Sequence, residues 1–266
     1  MLGYVKALRL PVCILGGLLV VVGYRLAGLG LSGAILPLVY TVVVASATMV
    51  WNDWRDRFHD VRKGRTFALQ AGNKFLVFAL SLWAVCLAFA TLLLVGNLYQ
   101  GILAFATLAA GLIYSETRML LFVPNTMVAL VSASPVLYAT PVTYNATMIF
   151  LATACAIYAR EIIKDMEDIG ADEGYKRTLI QLAGERVACV VVSGFLALSA
   201  ILLLHLKLAG ANTVLISGQV GENAIALLAL TLALQLEPRV IAPLFKTILD
   251  VWVAYYLLVI AISGVP

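Results

Sequence analysis

Two short acidic stretches hold the groups best suited to chemistry. The first is Asn52-Asp53-Trp54-Arg55-Asp56-Arg57-Phe58-His59-Asp60, and the second runs from Glu161 to Asp172. Each carries three aspartates at the same spacing: Asp53, Asp56, Asp60 and Asp165, Asp168, Asp172. On a helix, a step of three and then of four residues places three carboxylates within an arc of roughly 60°. Glu161, four residues before Asp165, falls on the same face. Like charges stacked this way repel. A divalent hard cation reverses the balance, because it takes oxygen ligands and neutralises their charge. Nine of the 14 acidic residues lie in the windows 53–60 and 161–173. Two solvated acidic loops would predict neither the repeated spacing nor the attachment of each stretch to a long apolar run.

The elements that must position these groups lie in a membrane. The chain of 266 residues is 63% hydrophobic and only 12% charged, with a mean hydropathy of +1.01, where a soluble domain carries roughly 25% charged residues. The apolar runs are continuous and do not alternate, which predicts helices rather than a barrel. The net charge of +4 comes without a basic face interleaved with aromatics, so nucleic-acid binding is excluded as the reading. Cys13, Cys86, Cys155 and Cys189 are scattered through apolar runs and form no CxxC pair, as expected of small buried hydrophobes. No GxGxxG or Walker A motif is present. Lys6 and Arg9 precede an apolar stretch as in a signal peptide, but no small-residue cleavage site follows, so the stretch is read as the first span.

With about 20 apolar residues per span, nine candidates emerge, at residues 10–27, 33–52, 74–95, 98–115, 120–139, 145–162, 187–206, 211–235 and 240–262. The stretch 212–222, broken by Gly218, Gly221 and Glu222, also reads as a surface loop. Of the 18 Lys and Arg, only Arg25 and Lys207 fall on the side opposite the acidic stretches, and Lys246 falls within a span. That bias places the N-terminus and both acidic stretches in the cytoplasm. Four spans separate the two stretches, so both return to one face. The expectation is an all-α integral membrane protein: a single transmembrane domain over residues 1–266, built as a nine-helix bundle with a parallel internal repeat and two cytoplasmic acidic caps facing a shared cavity. Lys246 and Asp250, four apart in the last span, are expected to satisfy each other. On a continuous helix His59 turns away from the aspartate face and is not expected to be a ligand.

Two facing carboxylate clusters at a membrane surface suit a diphosphate bridged by Mg²⁺, which prefers one or two carboxylates, several waters and substrate phosphate oxygens. Lys164, Arg118, Lys176, Arg177 and Arg160 are the candidate cations for the remaining phosphate charge. An apolar helical cavity below fits a hydrocarbon tail, so the implied ligand is amphiphilic, with a diphosphate head and an isoprenoid tail.

These residues resemble a known family. Asn52-Asp53-x-x-Asp56-x-x-x-Asp60 is similar to the NDxxDxxxD motif of the UbiA-type membrane prenyltransferases, and Arg160-Glu161-x-x-Lys164-Asp165-x-x-Asp168-x-x-x-Asp172 to their second motif. Lys176-Arg177-Thr178-Leu179 resembles the basic segment that follows it, and Tyr114-Ser115 another family position. The resemblance implies an enzyme that binds an allylic isoprenyl diphosphate through Mg²⁺, releases diphosphate to leave an allylic carbocation, and transfers the prenyl group to a lipophilic acceptor. It assigns metal and diphosphate to Asp53, Asp56, Asp60, Asp165, Asp168 and Asp172 with Asn52, and diphosphate contacts to Lys164 and Arg118. The ring of Tyr114 would face the cation. The sequence departs from the family pattern in Val61-Arg62-Lys63-Gly64-Arg65-Thr66, where an Asn and an Arg-Pro pair are usual, in Gly170-Ala171-Asp172 for Glu-Gly-Asp, and in Ile180 for Pro.

Two acceptors remain open, a phenolic ring and a prenylglyceryl phosphate; the opening Tyr4-Val5-Lys6-Ala7-Leu8-Arg9-Leu10-Pro11 leans toward the second. A terpene cyclase on the same scaffold would need no acceptor. A cation transporter is disfavoured because transporters place ion sites near the bilayer midplane, whereas these clusters lie at one surface. Membrane lipids are the only further partner implied, and no protein partner is inferable.

Overall fold

Lipid offers backbone N–H and C=O groups no partner, so an apolar run that crosses it must satisfy them internally, as a helix does. The computed structural model describes residues 2–172, 174–206 and 238–262, and their regular structure is helical throughout. A short α1 (Leu2–Ala7) leads into α2 (Leu10–Leu26) and α3 (Ile35–Arg55). A second short helix, α4 (Phe67–Ala71), precedes α5 (Asn73–Gly96), α6 (Leu98–Ile113) and α7 (Val123–Ala133). Then come α8 (Tyr144–Glu167), α9 (Leu179–Leu204) and α10 (Pro238–Ile262). Five stretches among the described residues are long and apolar enough to cross a membrane: Leu31–Arg55, Asn73–Gly96, Leu98–Glu116, Tyr144–Glu167 and Leu179–Leu204. The protein is thus an all-helical, multi-pass membrane protein. The expected span 211–235, the loop alternative at 212–222 and Lys207 lie outside the described residues.

Local sequence sets the helix boundaries. Pro11 sits in the first turn of α2, where its missing N–H costs nothing. Asn97 caps α6 by accepting from the Gln100 N–H at 3.1 Å, and Thr143 caps α8 by accepting from Ala146 at 3.2 Å. Thr178 and Gln181 form a capping box that starts α9 eight residues before the expected span. At Gly184 the backbone then turns to φ 83°, ψ 167°, a conformation that favours glycine, and the straight membrane segment follows.

Two buried clusters make up most of the core. Leu19, Val22 and Leu26 of α2 join Ile149 and Ile162 of α8, Val192 and Leu196 of α9 and Leu249 of α10. Val20 and Tyr24, also from α2, join Tyr40 and Val44 of α3, Trp83 and Cys86 of α5 and Ala104 of α6. α2 is therefore the wall between the two clusters. Buried Ala152, Ala156 and Ala159 let neighbouring helices approach α8 closely, and Ser199 donates to the Ala152 carbonyl at 2.8 Å. α5 turns Val77, Leu80, Leu87 and Leu92 outward, as a lipid-facing helix does. Cys13, Cys86 and Cys189 are buried, as expected of small hydrophobes, while Cys155 is half-buried.

The aspartate triplets do not lie on one helical face each. α3 stops at Arg55 and α8 at Glu167, so only Asp53 and Asp165 are inside α-helices. Asp56 and Asp168 are C-caps, Asp60 opens a 3₁₀ turn, and Asp172 lies in an irregular turn. The four-residue step survives in the backbone: Asp56 donates to the Asn52 carbonyl and Asp60 to that of Asp56, both at 2.8 Å, and Asp172 donates to Asp168 at 2.9 Å. Each helix frays where its carboxylates are drawn toward cations elsewhere in the fold.

The closest approach to a glycine among the described residues is at Gly23 of α2, where a Cβ would lie 2.1 Å from the backbone carbonyl oxygen of Val136 in the 3₁₀ turn after α7. Gly23→Ala is expected to lower the thermal midpoint in detergent, at a cost of about 1–3 kcal/mol. Gly194→Ala, where a Cβ meets nothing within 4 Å, should be neutral or stabilising by up to about 1 kcal/mol. Equal midpoints for the two variants would contradict this packing.

Candidate active site

The two acidic segments meet, and five of the six aspartates are answered by a cation or an amide: Asp53, Asp56, Asp165, Asp168 and Asp172. Arg9, between α1 and α2, donates to Asp53 Oδ1 at 2.5 Å. Arg118, in the loop before α7, ion-pairs with Asp56 and donates through Nη2 to Asn52 Oδ1 at 3.0 Å. Lys176 donates to Asp165 Oδ1 at 2.5 Å, while Asn125 of α7 donates to Oδ2 at 2.9 Å. Lys63, carried by the first acidic segment, reaches across to Asp168 Oδ2 at 2.8 Å and Asp172 Oδ1 at 2.7 Å in the second.

An aromatic pair locks the segments together. His59 Nε2 lies 3.0 Å from Asp172 Oδ1, a bond in which the carboxylate can only accept. Tyr175 of the second segment donates to Asp56 Oδ1 of the first at 2.6 Å. The two rings stack at 3.8 Å with 10° between their planes, and the Arg118 guanidinium lies on the Tyr175 ring at 5.2 Å. Each segment thus supplies one aromatic side chain that bonds the other's aspartate. His59 is not a bystander: the helix that was to turn it away has ended four residues earlier.

Burial and neighbours set the charge state of the loop carboxylates. Burial, reinforced by the Asp56 carboxylate, pushes Asp60 above the usual carboxylate range against the pull of Arg65 and Lys63. Burial acts on Asp172 in the same direction, but hydrogen bonds from Lys63 and His59 outweigh it and hold that carboxyl below its usual range. Tyr175 is raised by burial and by its bond to Asp56.

A second ionic layer lies along the last helix. Arg160 is bidentate on Asp250, at 2.6 and 3.3 Å, and donates to buried Glu161 at 2.8 Å; Lys164 reaches the other Glu161 oxygen at 3.3 Å. Lys246 pairs with Glu167. The expected Lys246–Asp250 pair is therefore not formed: both side chains are taken by stronger-placed partners on α8, so they join two helices instead of bracing one. Tyr114 begins a 3₁₀ turn at the end of α6, and the hydroxyl of Ser115 beside it lies 3.5 Å from Asn52 Oδ1. Arg177 is exposed, and only its backbone N–H joins the site, donating to the Arg118 carbonyl at 3.2 Å.

The sequence reading missed Arg9, His59, Asn125 and Tyr175 as site residues. Asn125 carried a signal, an amide inside an apolar run. The others act through contacts between distant segments.

The donor set is all oxygen and hard. Among the described residues no three carboxylate, imidazole or thiolate groups converge on one point. Such a set fits an ion that takes one or two carboxylates and completes its shell with water and phosphate oxygens, as Mg²⁺ does. It does not fit a metal that seeks a thiolate or imidazole cage.

No protein-family model matches the chain. Among curated proteins, the digeranylgeranylglyceryl phosphate synthase of Natronomonas pharaonis is 33% identical over 211 residues, covering 74% of each chain. That of Methanopyrus kandleri is 30% identical over 214 residues, 76% of this chain and 77% of its own. A solved structure of a digeranylgeranylglyceryl phosphate synthase shares the fold with a TM-score of 0.76 at 20% identity, over 98% of this chain and 97% of the other. A UbiA homologue from Archaeoglobus fulgidus, bound to DMAPP and Mg²⁺, superposes with a TM-score of 0.67 at 18% identity, over 97% of this chain and 99% of its own. With two relatives at 30% identity or more across three quarters of the chain, and the paired aspartate segments to match, the protein belongs to the UbiA family of intramembrane prenyltransferases.

Proposed function

We propose that this prenyltransferase joins an isoprenyl group from an allylic prenyl diphosphate to the hydroxyl of a prenylglyceryl phosphate, the reaction class of its digeranylgeranylglyceryl phosphate synthase relatives. The similarity to those two relatives carries the reading, and the paired acidic segments support it. The phenolic acceptor has no comparable support.

In this reading Asp53, Asp56 and Asp60 with Asp165, Asp168 and Asp172 hold Mg²⁺ and, through it, the diphosphate. Bound there, Mg²⁺ neutralises the charge that develops on the leaving diphosphate. Asn52, Arg118, Lys164 and Lys176 receive the remaining phosphate oxygens, while Arg177, exposed at the rim, adds positive charge there. Arg160, tied to Asp250, holds the deeper wall. The C1–O bond breaks with its electron pair going to the diphosphate. The Tyr114 ring offers its face to the allylic cation that remains. The acceptor hydroxyl oxygen then bonds C1 and gives its proton to the released diphosphate or to water, leaving an ether. Exposed Arg62 and Arg65 suit the anionic head of the acceptor, whereas Lys63 between them is occupied by Asp168 and Asp172.

The finer architecture belongs to the same reading: one domain of nine spans, two halves repeating span pair, acidic cap, span pair, and both caps on the cytoplasmic side. The excess of Lys and Arg on that side supports the orientation.

The deciding experiment incubates purified protein with Mg²⁺, geranylgeranyl diphosphate and either a prenylglyceryl phosphate or a phenolic acid, and identifies the lipids formed. An ether-linked diprenyl glyceryl phosphate is expected, with turnover lost in excess EDTA. A prenylated phenol, a cyclic hydrocarbon formed without acceptor, or full turnover in EDTA would each defeat the proposal.

Asp53→Asn and Asp165→Asn should each abolish turnover while the protein stays folded in detergent. Retention of more than about a tenth of the wild-type rate by both, less than about 1.4 kcal/mol of transition-state loss, would mean the site is misplaced.

Single cysteines at positions 62 and 176, in a variant lacking the four native ones, should both label from the cytoplasmic face. Labelling from opposite faces is incompatible with a shared site.

A further inference from the structure

Lys63 is the cation of the site whose position is hardest to reconcile with a purely structural part. It stands in the 3₁₀ turn Asp60–Lys63 of the first acidic segment, yet its ammonium lies 2.8 Å from Asp168 and 2.7 Å from Asp172, both in the second. Its side chain is 15% exposed, and those of Asp168 and Asp172 are 27% and 7% exposed. An ammonium bonded to both carboxylates fills the space between them that a metal ion, at about 2.1 Å from each ligand oxygen, would need. The two occupants exclude each other.

We propose that Lys63 is a built-in counter-cation of the second acidic cluster, exchanged for the metal–diphosphate complex on loading and then turned to bind the diphosphate. The proposal rests on the assignment of Asp168 and Asp172 to metal made above. Three observations carry it.

First, Lys63 bridges two carboxylates, so in the metal-free protein it supplies to both the positive charge that a metal would bring. Second, Asp172 does not depend on Lys63 alone for its place, because His59 holds the same oxygen at 3.0 Å. The carboxylate keeps its position when the ammonium leaves. Third, a lysine suits an exchange better than an arginine would: its charge is a compact point on a flexible four-carbon stem, with no planar fork to re-register. Once displaced, the ammonium needs a new anion within reach of that stem, and the diphosphate arriving on the metal is one. Free metal brings no such anion and must compete with the ammonium directly. The site therefore favours metal that arrives with diphosphate over metal alone, and by linkage each tightens the other.

The test measures Mn²⁺ binding to the full-length protein in lipid nanodiscs, without substrate, by the electron paramagnetic resonance signal of free Mn²⁺. Lys63→Met and Lys63→Gln remove the competing charge and should bind Mn²⁺ about fivefold more tightly than wild type, the scale of a partly exposed ion pair. Lys63→Arg should stay near wild type, and so should Arg62→Met, which removes the same charge from the adjacent exposed position. Unchanged or weaker binding by both neutral Lys63 variants overturns the exchange, and an equal gain from Arg62→Met reduces it to a general charge effect and overturns it too. In turnover at saturating Mn²⁺, Lys63→Met should raise the KM for prenyl diphosphate about fivefold with a smaller change in kcat; an unchanged KM overturns the second half of the proposal. Failure of the proposed reaction would show separately, as absence of product from wild type, with the Mn²⁺ titration still deciding the role of Lys63.

Discussion

Negative charge gathered at the edge of a membrane has to be answered by positive charge, and here most of the answer comes from another segment. Asp53 is met by Arg9, Asp56 by Arg118, Asp165 by Lys176, and Asp168 with Asp172 by Lys63. A buried carboxylate stripped of its partner is destabilising, so the four cations serve the fold as well as the chemistry. Their origins are far apart: the start of α2, the loop before α7, and both acidic segments. Convergence of the site is therefore also convergence of the chain.

The same logic extends below the site. Arg160 and Glu167 on α8 take Asp250 and Lys246 from α10, while Leu249 and Leu257 of α10 enter the cluster built on α8 and α9. α10 is held at its polar positions by ions and at its apolar ones by packing. α2, with one face in each buried cluster, is the element that both groups of helices share.

Much of this was legible in the sequence because it depends on local pattern. Continuous apolar runs gave several helices to within a few residues, 74–95 becoming Asn73–Gly96 and 240–262 becoming Pro238–Ile262, whereas 120–139 yielded the shorter Val123–Ala133 and α9 begins eight residues before its run. The two aspartate triplets identified the chemistry and the family. What was not legible depends on pairing across space. Helical periodicity assumed that α3 and α8 continue through their acidic ends, whereas both stop after the first aspartate of each triplet, which sent His59 to the wrong side. Lys246 and Asp250 looked like partners at four-residue spacing, and only the placement of α8 shows that each has a better one. Tyr175 gave no signal, being a tyrosine in a polar loop whose value lies in a ring and a carboxylate more than a hundred residues away.

The break at Gly184 separates two tasks that one continuous helix would have bound together. On one side, Leu179–Ala183 belongs to the acidic segment through Thr178 and its capping box; on the other, the rest of α9 sits in the lipid-facing bundle with Val192 and Leu196 in the core. A rigid rod would convert any shift of the loop into a twist or piston stroke of the membrane helix, disturbing every layer of packing below. A glycine at φ 83° acts as a coupling that does not transmit torque. The loop can rearrange around an arriving ligand while the bundle keeps its register, so the catalytic end can be soft without the hydrophobic end becoming loose.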